Sequence, residues 1–422
     1  MELLKRWAGI LSAYFSAQTF TQLAGIGAGL IFVNFMSVPE FALYTLGSSV
    51  VGFFGFASDL GSSSSLFYFF QKSRLAGEPA SFPAYYAAVL SLRRLSFLVG
   101  ALVVGAAFPL SALGQGFALP ETLLVTGAVL LAVRLQIDAS LRLLALRLHD
   151  RYGPSYRAEM AGGAIRLLLA LALFAAGLLY AGPAVLVGAA GAGVVARLAS
   201  RSGIALGTVA SDLAPYRRAV LRYLLPTLPG ALYYSIQGPL VVWLAASFGS
   251  ARNIAEVGAL GRLGLVVGMF SGLVGVVFLP RLARTADERT YRLRYLQYGC
   301  FLALIAASLV LAAMLAPGAF LMLLGPHYAG LYRELLLVVT AAALSLLGGY
   351  AVAVNNARSW TRWQGAAVFT LVVSQALLAA TLPLATTSGV LLFNAVSAAV
   401  GLLAQLVITA VAFVRPGLVH WS

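Results

Sequence analysis

Residues 388–414 read SGVLLFNAVSAAVGLLAQLVITAVAFV, 27 residues without a charge, and Arg415 follows at once. An α-helix needs about 20 mostly apolar residues to cross the hydrocarbon core of a bilayer. This stretch therefore reads as a membrane span with a basic flank. The pattern recurs through the chain, at 10–35, 42–70, 84–110, 121–147, 157–180, 182–205, 222–247, 254–280, 294–316, 332–354 and 363–384. Hydrophobic residues make up 61% and charged residues 10%, with a mean hydropathy of +0.93. That composition leaves no soluble core of ordinary make-up. The expected fold is all-α and integral to a membrane, with about twelve transmembrane helices.

The formal charge of +15 invites a nucleic-acid reading, but its placement gives a different one. Lys5 and Arg6 precede the first span, and Lys72 and Arg74 follow the second. Arg142, Arg147, Arg151 and Arg157 surround the fourth connection; Arg197, Arg201, Arg217, Arg218 and Arg222 surround the sixth. Arg281, Arg284, Arg289, Arg292 and Arg294 crowd the eighth, and Arg358 and Arg362 the tenth. The alternate connections hold little beyond Arg252 and Arg333. Basic flanks stay cytoplasmic, which puts both termini inside and makes the span count even. The charge expresses topology, with some attraction to anionic membrane lipid, and no nucleic-acid partner is expected.

No connection is long enough to fold as a domain, so function must be built from the helices. Met1–Gln22 lacks the short apolar core and cleavage site of a signal peptide. A single cysteine, Cys300, excludes an intrachain disulfide and a cysteine metal cluster and suits a small apolar filler.

The halves begin alike, each with a basic amphipathic lead (Leu3–Trp7; Pro215–Tyr223), then a span with polar residues on one face and a short turn into a small-residue helix. The expected division is an N-terminal six-helix bundle at 1–210, a cytoplasmic linker at 211–221 and a C-terminal six-helix bundle at 222–422. Six spans per half would give both the same orientation, with a repeat axis along the membrane normal and a substrate site at their interface.

Ser37-Val38-Pro39-Glu40-Phe41-Ala42-Leu43-Tyr44, followed by Ser58-Asp59-Leu60-Gly61, resembles the N-terminal signature of bacterial polysaccharide flippases. These form the Wzx-type branch of the multidrug/oligosaccharidyl-lipid/polysaccharide exporter superfamily. Ala42 stands where the family usually has glycine. The second half carries Val257-Gly258-Ala259-Leu260-Gly261-Arg262-Leu263, Leu279-Pro280-Arg281-Leu282-Ala283 and Leu324-Gly325-Pro326-His327-Tyr328-Ala329, with Leu260 where a tyrosine is frequent. The motifs are short, and their order and spacing over the whole chain carry the likeness. The resemblance implies a MATE-like pair of six-helix bundles around a cavity lined by spans 1, 2, 7 and 8. It implies alternating-access transfer of a polyprenyl-pyrophosphate-linked oligosaccharide from the inner to the outer leaflet of the bacterial cytoplasmic membrane. Glycosyltransferases and a polysaccharide polymerase would be its partners in O-antigen, capsule or exopolysaccharide assembly.

Several spans have the character of cavity walls. Tyr14, Gln18 and Gln22 recur every four residues on one face of span 1. Ser48, Gly52, Gly55, Asp59 and Ser62 mark a face of span 2; span 7 holds Tyr223, Thr227, Tyr233, Tyr234 and Gln237 among three prolines. The glycines equally suit close helix packing, and the polar faces equally suit interhelical hydrogen bonds. Intramembrane charge is the sharper signal, because it is costly unless paired or wetted. At 1.5 Å per residue, Asp59, Arg93, Arg94, Asp138 and Arg166 lie roughly 14–17 Å from the cytoplasmic ends of their spans, and Arg134 about 21 Å. Arg134 and Asp138 are spaced to pair along one helix. The arginines fit either a buried ion network or a surface for pyrophosphate, to which guanidinium forks are matched. Arg93 and Arg94 also fit snorkelling.

The expected substrate-binding residues are Arg134, Arg262, Arg93, Arg94, Tyr14, Gln18, Gln22, Tyr234 and Gln237. Arg134 and Arg262 would face a central water-filled cavity. Asp59 and Asp138 would form the charge network or an ion-coupling site. No phosphate loop and no His-Glu-x-x-His occur, so neither an enzyme nor a cofactor or metal is expected. Two alternatives stand. A cation-coupled multidrug antiporter of the same superfamily would want an acidic cation site. A membrane polysaccharide polymerase or ligase would want a large outer loop.

Overall fold

In the computed structural model, Ser37-Val38-Pro39-Glu40 starts a helix for local reasons. Ser37 is extended and its hydroxyl accepts the Glu40 amide, while Pro39 sits in the first turn where its missing N–H costs nothing. The structure describes residues 2–75, 81–202, 212–225, 228–268, 270–283, 285, 287–358, 360 and 362–414. Side chains are described from Ser16 onward, except at 74–75, 229, 265–266, 268, 275–276, 280 and 283.

The helices in chain order are α1 (Glu2–Phe35), α2 (Val38–Ala57), α3 (Ser62–Leu75), α4 (Phe82–Gly114), α5 (Leu119–Leu148), α6 (Tyr152–Ala175), α7 (Ala181–Arg201), α8 (Ala214–Leu224) and α9 (Leu228–Phe248). There follow α10 (Ala251–Gly268), α11 (Ser271–Leu273), a π-helical turn (Val274–Phe278), α12 (Leu279–Ala283), α13 (Glu288–Leu315), α14 (Pro317–Met322), α15 (Tyr332–Ala357), α16 (Gln364–Thr381) and α17 (Thr387–Val414). Among the described residues, ten helical segments are long and apolar enough to cross a membrane, one being α2 and α3 together. With α1 and the interrupted α10–α12 element they make up the expected twelve. Large apolar side chains face outward over many of them, as on α4, where Leu102 is 78% exposed. A water-soluble fold would bury such residues; a bilayer solvates them.

The chain forms two compact units, Met1–Trp243 and Leu244–Ser422. By contact, the first unit continues through α8 and most of α9, beyond the 211–221 segment chosen from composition; residues 203–211 lie outside those described. Within the first unit α2 packs on α5 and α7, α5 on α7, and α6 on α7. Within the second, α10 packs on α15 and α17, α15 on α17, and α16 on α17. The pairing order is the same, so the two units repeat one internal helix arrangement. A carboxylate recurs with it. Glu40 at the start of α2 accepts the Ala181 amide at the start of α7 at 2.6 Å. Glu256 near the start of α10 accepts the Thr387 hydroxyl at the start of α17 at 2.5 Å. In each unit an acid meets a helix N-terminus, where free N–H groups and the dipole favour negative charge.

Besides the interrupted α10–α12 element, which takes the place of the expected 254–280 span, two spans depart from their sequence boundaries. The expected 42–70 span is two helices broken at 58–61. The expected 222–247 span is α9 alone, and Tyr223 belongs to the separate helix α8, whose three arginines keep it out of an apolar span.

In the second unit, Tyr291, Tyr295, Tyr350, Trp360 and Phe413 form an aromatic cluster. Beside it, Asn355 Nδ2 donates to Gln405 Oε1 at 3.0 Å, Gln405 and Gln364 exchange amide hydrogen bonds, and Thr409 donates to Asn355 Oδ1. Paired amides satisfy one another inside the bundle, the condition for burying polar groups there.

Candidate functional site

The α2–α3 break is the most structured polar feature of the first unit. Leu60 and Gly61 adopt φ values of 40° and 82°, a left-handed conformation that ends a helix and that glycine takes at little cost. Asp59 then starts the next helix. Its Oδ1 accepts the Ser63 amide at 3.0 Å and the hydroxyls of Ser63 and Ser62 at 2.7 and 3.1 Å. This is an N-terminal cap set within an apolar span.

Arg93, from α4, closes the arrangement. It donates Nε to Ser62 Oγ at 2.7 Å and Nη1 to Ser140 Oγ on α5 at 3.1 Å. Its Nη2 donates to Ser63 Oγ at 3.0 Å and pairs with Asp59. Arg93 is only 2% exposed. A single guanidinium thus ties α3, α4 and α5 to the turn, and each of its three nitrogens donates to protein.

The other arginines of this unit differ. Arg134 Nη1 lies 2.7 Å from Asp138 Oδ2 on the same helix, and about a third of its side chain is exposed. Arg147 forms a two-pronged contact with Glu159, both distances 2.8 Å. Arg166, on α6, has no carboxylate within ion-pair distance among the described residues. It lies across Gly191 of α7, where an added Cβ would come within 2.6 Å of the Arg166 side chain. The small residue makes room for the guanidinium. Arg94 points away from its neighbour Arg93 and is exposed.

Gln18 and Gln22 are half-buried, one turn apart on α1; the Tyr14 side chain lies outside the described residues. On α9, Tyr234 is exposed and Gln237 half-buried, and the rings of Tyr233 and Tyr234 stand 5.4 Å apart. Trp243 on α9 donates to Ser49 Oγ of α2 at 3.1 Å, so α9 is held to α2 inside this unit.

In the second unit the equivalent of the α2–α3 span is also interrupted. The α10 helix ends at Gly268, α11 is a single turn, and a π-helical turn follows at Val274–Phe278. Interrupted helices at matching places in two halves are a frequent mark of transporter substrate sites, because they free backbone groups within the membrane. Arg262 is half-buried on α10, six residues before that interruption. Glu256, six residues earlier on the same helix, is engaged by Arg252 Nε at 2.9 Å and by Thr387.

The structure adds Ser140 as a partner of Arg93 and gives Ser62 and Ser63, polar positions of span 2 in the sequence, a role as acceptors of the same guanidinium. The signal was the run of four serines beginning three residues after Asp59, a helix-start pattern inside an apolar segment.

No family model and no curated protein matches the chain. Solved structures do. The lipid II flippase MurJ in an inward closed conformation superposes with a TM-score of 0.75 at 15% identity, over 94% of this chain and 87% of MurJ. An inward-facing multidrug resistance MATE family transporter of the MOP superfamily gives 0.68 at 16% identity, over 94% of this chain and 96% of its own. A Vibrio cholerae MATE transporter gives 0.60 at 15% identity, over 96% and 97%. The chain has the membrane fold shared by MurJ and the MATE transporters.

Proposed function

We propose that this chain is a flippase for a polyprenyl-pyrophosphate-linked oligosaccharide, acting by alternating access in surface polysaccharide assembly. The observation that carries the reading is the sign of the charge inside the first unit. Asp59 and Asp138 each face an arginine, and Arg166 stands without an acidic partner among the described residues. A low-dielectric interior of that sign attracts an anionic headgroup and repels a cationic drug. Guanidinium is the side chain best matched to phosphate oxygens.

Arg134, held by Asp138 and still partly exposed, is the proposed pyrophosphate ligand of this unit. Gln18, Gln22, Tyr234 and Gln237 are proposed to hydrogen-bond sugar hydroxyls. Arg262 is the second unit's candidate. The Wzx-type motifs and the fold shared with a protein named a lipid II flippase support the same reading.

A multidrug antiporter shares the fold. To bind a cation at Asp59 or Asp138, however, it would first have to displace an arginine from each.

The test is polymer export in a bacterial strain lacking its own polysaccharide flippase, normalised to membrane-inserted protein, beside drug accumulation in an efflux-deficient strain. Restored export with unchanged drug accumulation is expected. Drug efflux without export in any of several polysaccharide backgrounds would overturn the proposal.

A further inference from the structure

Helix α8 is amphipathic, and its place on α4 can be read from the exposure of α4 itself. Large apolar side chains are exposed on α4 from Leu95 to Leu113, a rise of about 27 Å at 1.5 Å per residue. That matches the ~30 Å hydrocarbon core of a bilayer. Arg94 therefore sits at one edge of the lipid-facing band. Leu98 and Leu102 follow it at four-residue steps, on the same side of the helix.

The α8 helix docks at that edge. Val220 and Leu224 are buried, the Tyr216 ring meets Tyr85 of α4 at 4.9 Å, and Tyr223 stacks on Tyr68 of α3 at 5.2 Å. Arg217 Nε donates to Ser91 Oγ at 2.8 Å. Ser91 and Arg94 are three residues apart on α4 and so are neighbours on its surface. The exposed Arg217 guanidinium is thereby fixed on Ser91, one helical turn before the exposed Arg94. No carboxylate lies within ion-pair distance of either among the described residues. Holding like charges together is unfavourable unless an anion is shared between them.

We propose that Arg94 and Arg217 bind the phosphate of an anionic phospholipid, whose acyl chains lie along the exposed leucines of α4. The band edge supplies the headgroup level, the paired arginines supply charge complementarity, and the leucine stripe supplies the apolar surface. The site stands apart from the proposed transport function, because it faces the bilayer and not the helix interior.

The experiment titrates full-length protein in detergent with phosphatidylglycerol, phosphatidylcholine and glycerol 3-phosphate, and counts bound lipid by native mass spectrometry. Wild type should retain phosphatidylglycerol in preference to phosphatidylcholine, and glycerol 3-phosphate should not displace it. A basic residue at the membrane surface is worth about fivefold in binding, so Arg94→Gln with Arg217→Gln should weaken retention roughly 25-fold. Arg197→Gln with Arg201→Gln, a basic pair on another helix, should leave it unchanged. Ser91→Ala, which keeps every charge and frees Arg217, should show an intermediate loss and decides the matter if the double variant is not recovered from membranes. Wild-type retention in the double variant, or in Ser91→Ala when it alone is obtained, overturns the assignment. So does full displacement by glycerol 3-phosphate, which would make this a site for a free phosphate ester.

Discussion

Arg134 and Asp138 show how a charge can be kept inside a span and still be of use. The 2.7 Å ion pair along one helix offsets desolvation, while the exposed third of the arginine side chain leaves donors for a ligand. A charge-assisted contact in such a place contributes on the order of 1.5–3 kcal/mol. Arg134→Ala should therefore insert normally yet restore little export, and Arg134→Lys should restore part of it, since lysine keeps the charge without the fork. Full export by a normally inserted Arg134→Ala would remove Arg134 from the mechanism. This pair was legible in the sequence from its four-residue spacing. The Arg93–Asp59 pair was not, because 34 positions separate its members and only the packing of α4 on α3 joins them. At the surface, Asp287 caps α13 by accepting the Thr290 amide at 2.8 Å, and the hydrogen bonds from Thr290 hold its carboxyl below the usual carboxylate range. A depressed value stabilises the fold above the unfolded-state pKa, and that contribution is lost as pH falls through the folded-state value. Thermal unfolding of wild type and Asp287→Ala should thus differ at neutral pH and converge in acid. A gap that is constant with pH would show that ionisation plays no part in the cap.

At the scale of an element, the interrupted span α2–α3 concentrates the departures from a plain apolar helix. Hydropathy does not register a four-residue turn, so the sequence reads 42–70 as one segment. The turn appears only when Asp59, the left-handed Gly61 and the serine run are read together as a helix stop followed by a helix start. The clamp is cooperative, since Asp59, Ser62, Ser63 and Ser140 share one guanidinium. Removing only the arginine leaves Asp59 without its countercharge beside buried hydroxyls. Arg93→Ala should therefore lower the thermal stability of the purified protein by on the order of 3 kcal/mol. Gly61→Ala, which forces a side chain into φ 82°, should cost about 1–2 kcal/mol. Pairing Arg93→Met with Asp59→Asn should recover much of the arginine loss, because no unpaired charge remains. A double variant as unstable as Arg93→Ala would show that packing, not charge, holds the break.

For the whole molecule, composition and span periodicity made the all-helical membrane class and the repeat readable. The division into contact units was not readable from linker polarity, because α8 and most of α9 pack on the first unit through rings and a tryptophan–serine hydrogen bond. Orientation in the membrane follows from a separate argument, the concentration of arginine on alternate connections. Each arginine on the wrong side would have to be carried across the hydrocarbon core during insertion, at about 2.5–3.5 kcal/mol on insertion scales. The clusters at 142–157, 197–222 and 281–294 are expected to set the orientation jointly. Reporter fusions placed after Phe35, Pro120, Ala181, Ser250, Pro326 and Thr387 should all read the outer side of the membrane. Fusions at 150 and 287 should read the inner side. Because twelve crossings return the chain to its starting side, a C-terminal fusion should also read inside. Two or more inner-side readouts among the first six positions would mean that the arginines do not set the topology, and the cytoplasmic placement of both termini would fall with them.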